Sequence, residues 1–114
     1  MALPKENRLH TKKDFDNIFK NGRSLRGHFL LIKYTTSDAG FYRIGFVVSA
    51  KVASKAVIRN RIKRVLADIT QKNKGIIKKD KNIVVLLLKL PADKEKEREL
   101  LSREFLNLLS KINE

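Results

Sequence analysis

The 114-residue chain contains no cysteine. That excludes disulfides, thiolate nucleophiles and cysteine-ligated zinc or iron–sulfur centres. It also excludes small secreted scaffolds stapled by disulfides, and a cytoplasmic, reducing location fits. Histidine occurs only at His10 and His28, with no H-E-x-x-H or related spacing to hold a metal. The five glycines are scattered and form no G-x-x-x-x-G-K-S/T phosphate loop. Long apolar runs are missing: Ile83–Leu88 is the longest, far short of the roughly 20 residues that span a bilayer. The opening MALPKENRLHTKK lacks the apolar stretch of a secretory signal. No membrane partner is expected, and the length leaves room for one domain, residues 1–114.

Acidic residues are scarce as well, 12 against 26 Lys and Arg, for a formal net charge of +14. A surplus of that size on a small chain points to a polyanionic partner. It is not evenly spread. Residues 1–50 carry a net +5, residues 51–82 a net +9, and residues 83–114 none. A surface built only for solubility would intersperse its signs. The 42% of hydrophobic residues supply a small core, so disorder is not expected.

The pattern is that of an α/β chain. Thr11 and Asp14 resemble a capping box. Phe15, Ile18 and Phe19 then recur at i, i+3 and i+4, which predicts a helix over 12–20 closed by Asn21-Gly22. Strands are predicted over 28–34 and 41–49, with a weaker one near 23–26. The short connection predicts that the first two are antiparallel neighbours. In the strand over 41–49, Tyr42, Ile44, Phe46 and Val48 share one face. Ile58, Ile62, Val65 and Ile69 mark the buried stripe of a helix over 55–71, widened by Leu66. The apolar run 83–90 suits a central strand covered on both faces. Leu101, Phe105, Leu108 and Ile112 mark a last helix over 94–113. The order predicts a compact α/β sandwich with a strand–helix–strand crossover.

The most informative segment is Lys51–Arg64, with six cations and no acid. On a helix, Lys55, Arg59 and Lys63 fall on one row, and Asn60 and Arg64 on the next. Such crowding costs a few tenths of a kcal/mol per i, i+4 pair. A stability argument does not explain it, and a phosphate backbone does. Arginine grips a phosphate through two parallel hydrogen bonds, whereas lysine acts as a point charge.

The run Lys55-Ala-Val-Ile-Arg-Asn-Arg-Ile-Lys-Arg64 resembles the arginine–asparagine–arginine signature of the bacterial ribonuclease P protein component family. Its lead-in, Arg43-Ile-Gly-Phe-Val-Val-Ser-Ala-Lys51, resembles the strand before that signature. Arg8-Leu9, Asp14-Phe15, Phe19, Gly22 and Asp80 are also similar to the family pattern. The resemblance spans essentially the whole chain. It implies an α/β two-layer sandwich of α-β-β-β-α-β-α order with a four-stranded mixed sheet. It also implies a left-handed β-α-β crossover and a likeness to the second domain of a small-subunit ribosomal protein. The implied activity is that of the protein subunit of an endoribonuclease that removes the 5′ leader of precursor transfer RNA. The partner RNA performs the hydrolysis with bound Mg2+, and no protein side chain is catalytic. The implied partners are that catalytic RNA and the precursor, with no obligate protein partner.

Carried over by position, Lys51, Lys55, Arg59, Asn60, Arg61, Lys63 and Arg64 are expected to bind the catalytic RNA. Phe15, Phe19, Ile32 or Tyr34, Asn60 and Lys63 are expected around the cleft for the single-stranded leader. No dedicated metal site is expected in the protein. Two positions depart from the family pattern. Ala50 stands where many relatives have a lysine, and Ala67 stands where an arginine is common. The main alternative is a ribosomal or ribosome-associated RNA-binding protein with no role in cleavage. A helix-turn-helix DNA-binding module fits less well, because strands precede and follow the basic helix. A metal nuclease fits least, because Asp14, Asp16, Asp38, Asp68 and Asp80 are scattered.

Overall fold

The computed structural model describes residues 3–37 and 39–112. Asp38 and Asn113, which enter the readings of the acids and of the last helix, lie outside them. After a 3-10 turn at Lys5–Asn7 come α1 (Lys12–Asn21), β1 (Arg23–Arg26), β2 (Leu30–Thr36), β3 (Arg43–Val47), α2 (Ala56–Lys72), β4 (Lys81–Leu87) and α3 (Glu97–Ile112). The order is therefore α-β-β-β-α-β-α around one four-stranded mixed sheet, and the weakly signalled strand near 23–26 is present.

The strands lie in the order β1-β2-β4-β3. β2 pairs antiparallel with β1 and β4, whereas β3 runs parallel to β4. The expected pairing of β2 with β3 is thus corrected: β4 lies between them. Its run Ile83, Val84 and Val85 is fully buried, and a strand apolar on both faces is shielded only at the centre of a sheet. Burial outweighs the short 37–42 connection.

Helices α2 and α3 cover one face. Ile62, Leu66, Ile69, Leu101, Phe105, Leu108 and Ile112 join Leu30, Ile32, Ile44, Ile83 and Val85 in the main core. Both predicted stripes face inward, as does the set Tyr42, Ile44, Phe46 and Val48 in and beside β3. On the far face α1 sets Ile18 against Val84 and Leu9, flanked by Phe15, Val47 and Leu86. Helix α1 begins with the expected cap: the Asp14 amide donates to Thr11 Oγ1 at 3.2 Å, and that hydroxyl donates to the Asp14 carboxylate at 2.7 Å. It ends at Gly22 for a reason other than a left-handed cap, since φ there is −77°. A Cβ at Gly22 would lie 2.4 Å from the Ile18 carbonyl oxygen and 3.1 Å from that of Tyr34. Glycine lets the helix end sit tight against β2.

Two links fasten the helical layer. The Arg61 guanidinium spans from α2 to both Glu97 carboxylate oxygens at 3.0 Å. Asp68 of α2 accepts hydrogen bonds from Arg98 and Lys72, which hold its carboxyl below the usual carboxylate range. A third link reaches from α3 to the β1–β2 turn. The Glu104 carboxylate accepts from the amides of His28, Phe29 and Leu30 at 2.6–2.8 Å. The His28 and Phe29 amides are taken up by the carboxylate at the turn, and β2 begins at Leu30, two residues later than its composition predicts.

Candidate nucleic-acid interface

The eleven cations of residues 51–82 divide into two groups. Six lie in or just before the first half of α2, and five lysines (Lys72, Lys74, Lys78, Lys79 and Lys81) lie at or beyond its C-terminal end. A 17-residue helix is about 25 Å long, so the two groups sit at opposite ends. The leading end has no acid in its first turn and no side chain capping its amides. Its exposed N–H groups and the cations beside them favour an anion.

Within the leading group the structure assigns different work to neighbouring residues. Arg59 folds back along the chain, where Nη1 donates to the carbonyls of Ala53 (3.0 Å) and Ser54 (2.8 Å) and closes the loop ahead of α2. Arg61 is committed to Glu97. Lys51, Lys55, Asn60, Lys63 and Arg64 have no side-chain hydrogen bond or ion pair among the described residues. Ala67 is 1% exposed, inside the core, so the family's frequent arginine there has no room in this packing.

Two hollows meet at Lys63. One, about 380 Å³, is lined by Val57, Asn60, Lys63 and Arg64. Val57 is 75% exposed there, an apolar side chain held in water among polar neighbours. The other, about 170 Å³, opens at the outer edge of β3, with Phe15, Gly45, Phe46 and Arg8 around Lys63. The Phe15 ring lies over Gly45 so closely that a Cβ there would come 2.6 Å from Cζ. Glycine at this point lets the tip of the aromatic ring reach the strand backbone.

The orientation of α1 that brings Phe15 to β3 is held by polar contacts. Arg43 Nη1 lies 3.4 Å from the Asp14 carboxylate, and its Nε donates to Asn82 Oδ1 at 3.1 Å. The N-terminal segment closes the β3 edge. The Leu9 amide donates to the Ile44 carbonyl at 3.0 Å, and Asn7 Nδ2 donates to the Tyr42 carbonyl at 2.7 Å.

The expected leader cleft comes together only in part. Phe15 and Lys63 line the same hollow, and Asn60 lines its neighbour. Phe19 sits one turn further along α1, 37% exposed, with Lys33 Nζ 5.9 Å from its ring centroid. Ile32 is a correction: it is fully buried in the main core, on the face opposite α1. Tyr34 shares that face two residues on, with Lys81 Nζ 5.8 Å from its ring centroid. Strand alternation separates both from Phe15 and Phe19. The residues of β2 on the α1 side are Leu31, Lys33 and Thr35. The signal was present in the sequence, since Leu30, Ile32 and Tyr34 form the more apolar of the two alternating sets. Val57 and Arg8 were also missed. Val57 falls off the buried stripe of α2, and Arg8 acquires its place only through the bridge to Ile44.

The described carboxylates are too dispersed to hold a metal ion together. Among the described residues no three His, Cys, Asp or Glu side chains gather to hold one. Five of the acids are engaged elsewhere: Asp14 with Arg43, Asp68 with Lys72 and Arg98, Glu97 with Arg61, Glu99 with Arg103, and Glu104 with backbone amides. No described helix is long and apolar enough to cross a membrane.

A basic helix face joined to an aromatic hollow, on a four-stranded mixed sheet, defines a small α/β protein with a surface suited to a polyanionic strand. The family model "Ribonuclease P" matches residues 3–113. The ribonuclease P protein component of Thermotoga maritima is 33% identical over 113 residues, covering 97% of this chain and 96% of the relative. That of Syntrophomonas wolfei is 38% identical over 84 residues, covering 74% and 70%. The solved Thermotoga maritima structure superposes with a TM-score of 0.77 at 32% identity, covering 91% of this chain and 96% of that one. The Staphylococcus aureus protein follows at 0.73 and 25%, covering 95% of each. The chain belongs to the bacterial ribonuclease P protein component family, the non-catalytic protein subunits of a ribonucleoprotein enzyme.

Proposed function

We propose that this chain, acting as one domain over residues 1–114 in the cytoplasm, binds the ribonuclease P catalytic RNA with the leading face of α2. We further propose that it receives the single-stranded 5′ leader of precursor transfer RNA in the hollow at Phe15. One observation carries the reading: Lys63 borders both hollows, so the cationic face and the aromatic surface are continuous. On the outer side, Lys51, Lys55, Arg64 and the apolar Val57 meet phosphates and sugars. On the inner side, Phe15 offers a π-face to an unpaired base, the common mode of single-strand recognition. Asn60 supplies hydrogen bonds between them. Arg59 and Arg61 add charge while holding the loop and α3 in place.

The protein's contribution in this reading is binding and orientation. Its cations neutralise phosphate repulsion, so catalytic RNA and precursor approach each other and retain Mg2+ on the RNA. Hydrolysis belongs to the RNA–metal centre in this reading, and the protein supplies no catalytic side chain.

Reconstitution with the cognate catalytic RNA at low magnesium, scored by cleavage of precursor transfer RNA, tests this. The protein is expected to promote cleavage and to cleave nothing alone. Its effect on precursor affinity is expected to shrink when the leader is trimmed to a single nucleotide. Lys63→Ala is a cleaner probe than Arg59→Ala, because Arg59 also closes the loop before α2. Lys63→Ala is expected to weaken binding while leaving hydrolysis intact at saturating RNA, precursor and magnesium. Loss of hydrolysis under those conditions overturns the reading.

A further inference from the structure

Beyond the Phe15 hollow the surface opens again, between the N-terminal segment and the approach to β3. This third hollow, about 570 Å³, is bordered by Lys5, Glu6, Arg8, His10, Phe41 and Arg43. Arg8 lines both it and the Phe15 hollow. The order along the surface is therefore α2 face, Lys63, Phe15, Arg8, Phe41. Pairing of Arg8 with Ile44, and the Leu9 amide on the Ile44 carbonyl, hold this segment against the β3 edge. Phe41 precedes Gly45 by four residues, at most about 13 Å of extended chain.

Core packing does not account for Phe41. It belongs to neither hydrophobic cluster and is 37% exposed, with no ring partner among the described residues. The Arg8 guanidinium likewise has no partner there. Arg43 spends Nε on Asn82 and Nη1 on Asp14, leaving Nη2 for another acceptor. An open aromatic face flanked by Lys5, Arg8 and the remaining Nη2 of Arg43 in a concave setting matches one unpaired nucleotide, with its base stacked and its phosphates paired. Glu6, the one acid on the rim, offers an acceptor to a base amine or a 2′-hydroxyl.

We propose that this hollow is a distal nucleobase subsite for the single-stranded leader. A base stacks on Phe41 and the flanking phosphates meet Arg8, Lys5 and Arg43, farther from the cleavage site than the nucleotide at Phe15. The proposal rests on the leader reading above, and its test separates the two. Precursors whose leaders grow one nucleotide at a time are bound to the reconstituted holoenzyme carrying wild-type protein, Phe41→Ala, Phe41→Tyr or Phe15→Leu. With long leaders Phe41→Ala is expected to lose roughly tenfold in affinity, while Phe41→Tyr keeps it. With leaders too short to pass Arg8, Phe41→Ala and wild type are expected to bind alike. If Phe15→Leu weakens leader-dependent binding and Phe41→Ala does not, the subsite is wrong and the leader reading stands. If Phe41→Ala weakens short and long leaders equally, its effect is structural and the subsite is likewise wrong. If neither variant shows leader dependence, both readings fall.

Discussion

The Phe15 ring sits so close to Gly45 that a Cβ there would come 2.6 Å from Cζ and 2.8 Å from Cε1. A methyl at position 45 must push the ring aside, because the strand backbone is pinned between β4 and the N-terminal segment. Gly45→Ala is expected to lower stability by about 1–3 kcal/mol, the usual range for overpacking. Urea unfolding measures that loss, and precursor affinity should fall with it because the aromatic face is displaced. The arginines teach a related lesson. The family resemblance gives Arg59, Arg61 and Lys63 one expected RNA-binding role, and folding separates them. The partners of Arg59 and Arg61 are the Ala53 and Ser54 carbonyls and the Glu97 carboxylate. Glu97 stands 36 residues from Arg61, and no local pattern announces such a pairing.

At the scale of elements, α3 holds the β1–β2 turn through a single carboxylate that satisfies three consecutive amides. Glu104→Ala leaves all three without their acceptor. Hydrogen bonds to charged groups contribute about 1.5–3 kcal/mol each, less where water replaces them, so a loss of about 2 kcal/mol is expected in urea unfolding. Amide exchange should quicken first at His28, Phe29 and Leu30. The α2–α3 contact has a pH signature. Hydrogen bonds from Arg98 and Lys72 lower the Asp68 pKa. A carboxyl with a depressed folded pKa contributes stability above its unfolded value and loses it as pH falls through the folded one. The stability gap between wild type and Asp68→Asn should therefore be present at neutral pH and close below the ordinary carboxylate range. Urea midpoints across acid pH measure it. Helix periodicity was legible in the sequence, and strand partners were not: the antiparallel β2–β3 reading followed loop length, while the sheet obeyed the need of β4 for cover on both faces.

For the whole molecule, the charge distribution makes assembly with RNA dependent on salt. Each phosphate neutralised releases counterions, and log K falls with log salt by about 0.7–0.9 per contact. Neutralising Lys55, Lys63 or Arg64 singly should reduce the magnitude of that slope by about one. Lys111→Ala, on the electrically balanced last segment, should leave it unchanged. Titrations of holoenzyme assembly at several salt concentrations read this directly.

Sequence alone determined the helices, the membership of the core, the location of the surplus charge and the family. Each follows from local periodicity or from a contiguous motif, which survive being read along the chain. Alternation marked Leu30, Ile32 and Tyr34 as the more apolar set of β2, and the tertiary structure then placed α1 on the opposite face, away from Ile32. Only the tertiary structure joined Arg8, Phe15 and Lys63, from three separate stretches of chain, around one hollow. Those results depend on how strands order and which edge the N-terminal segment covers, and burial over the entire sheet settles that at once.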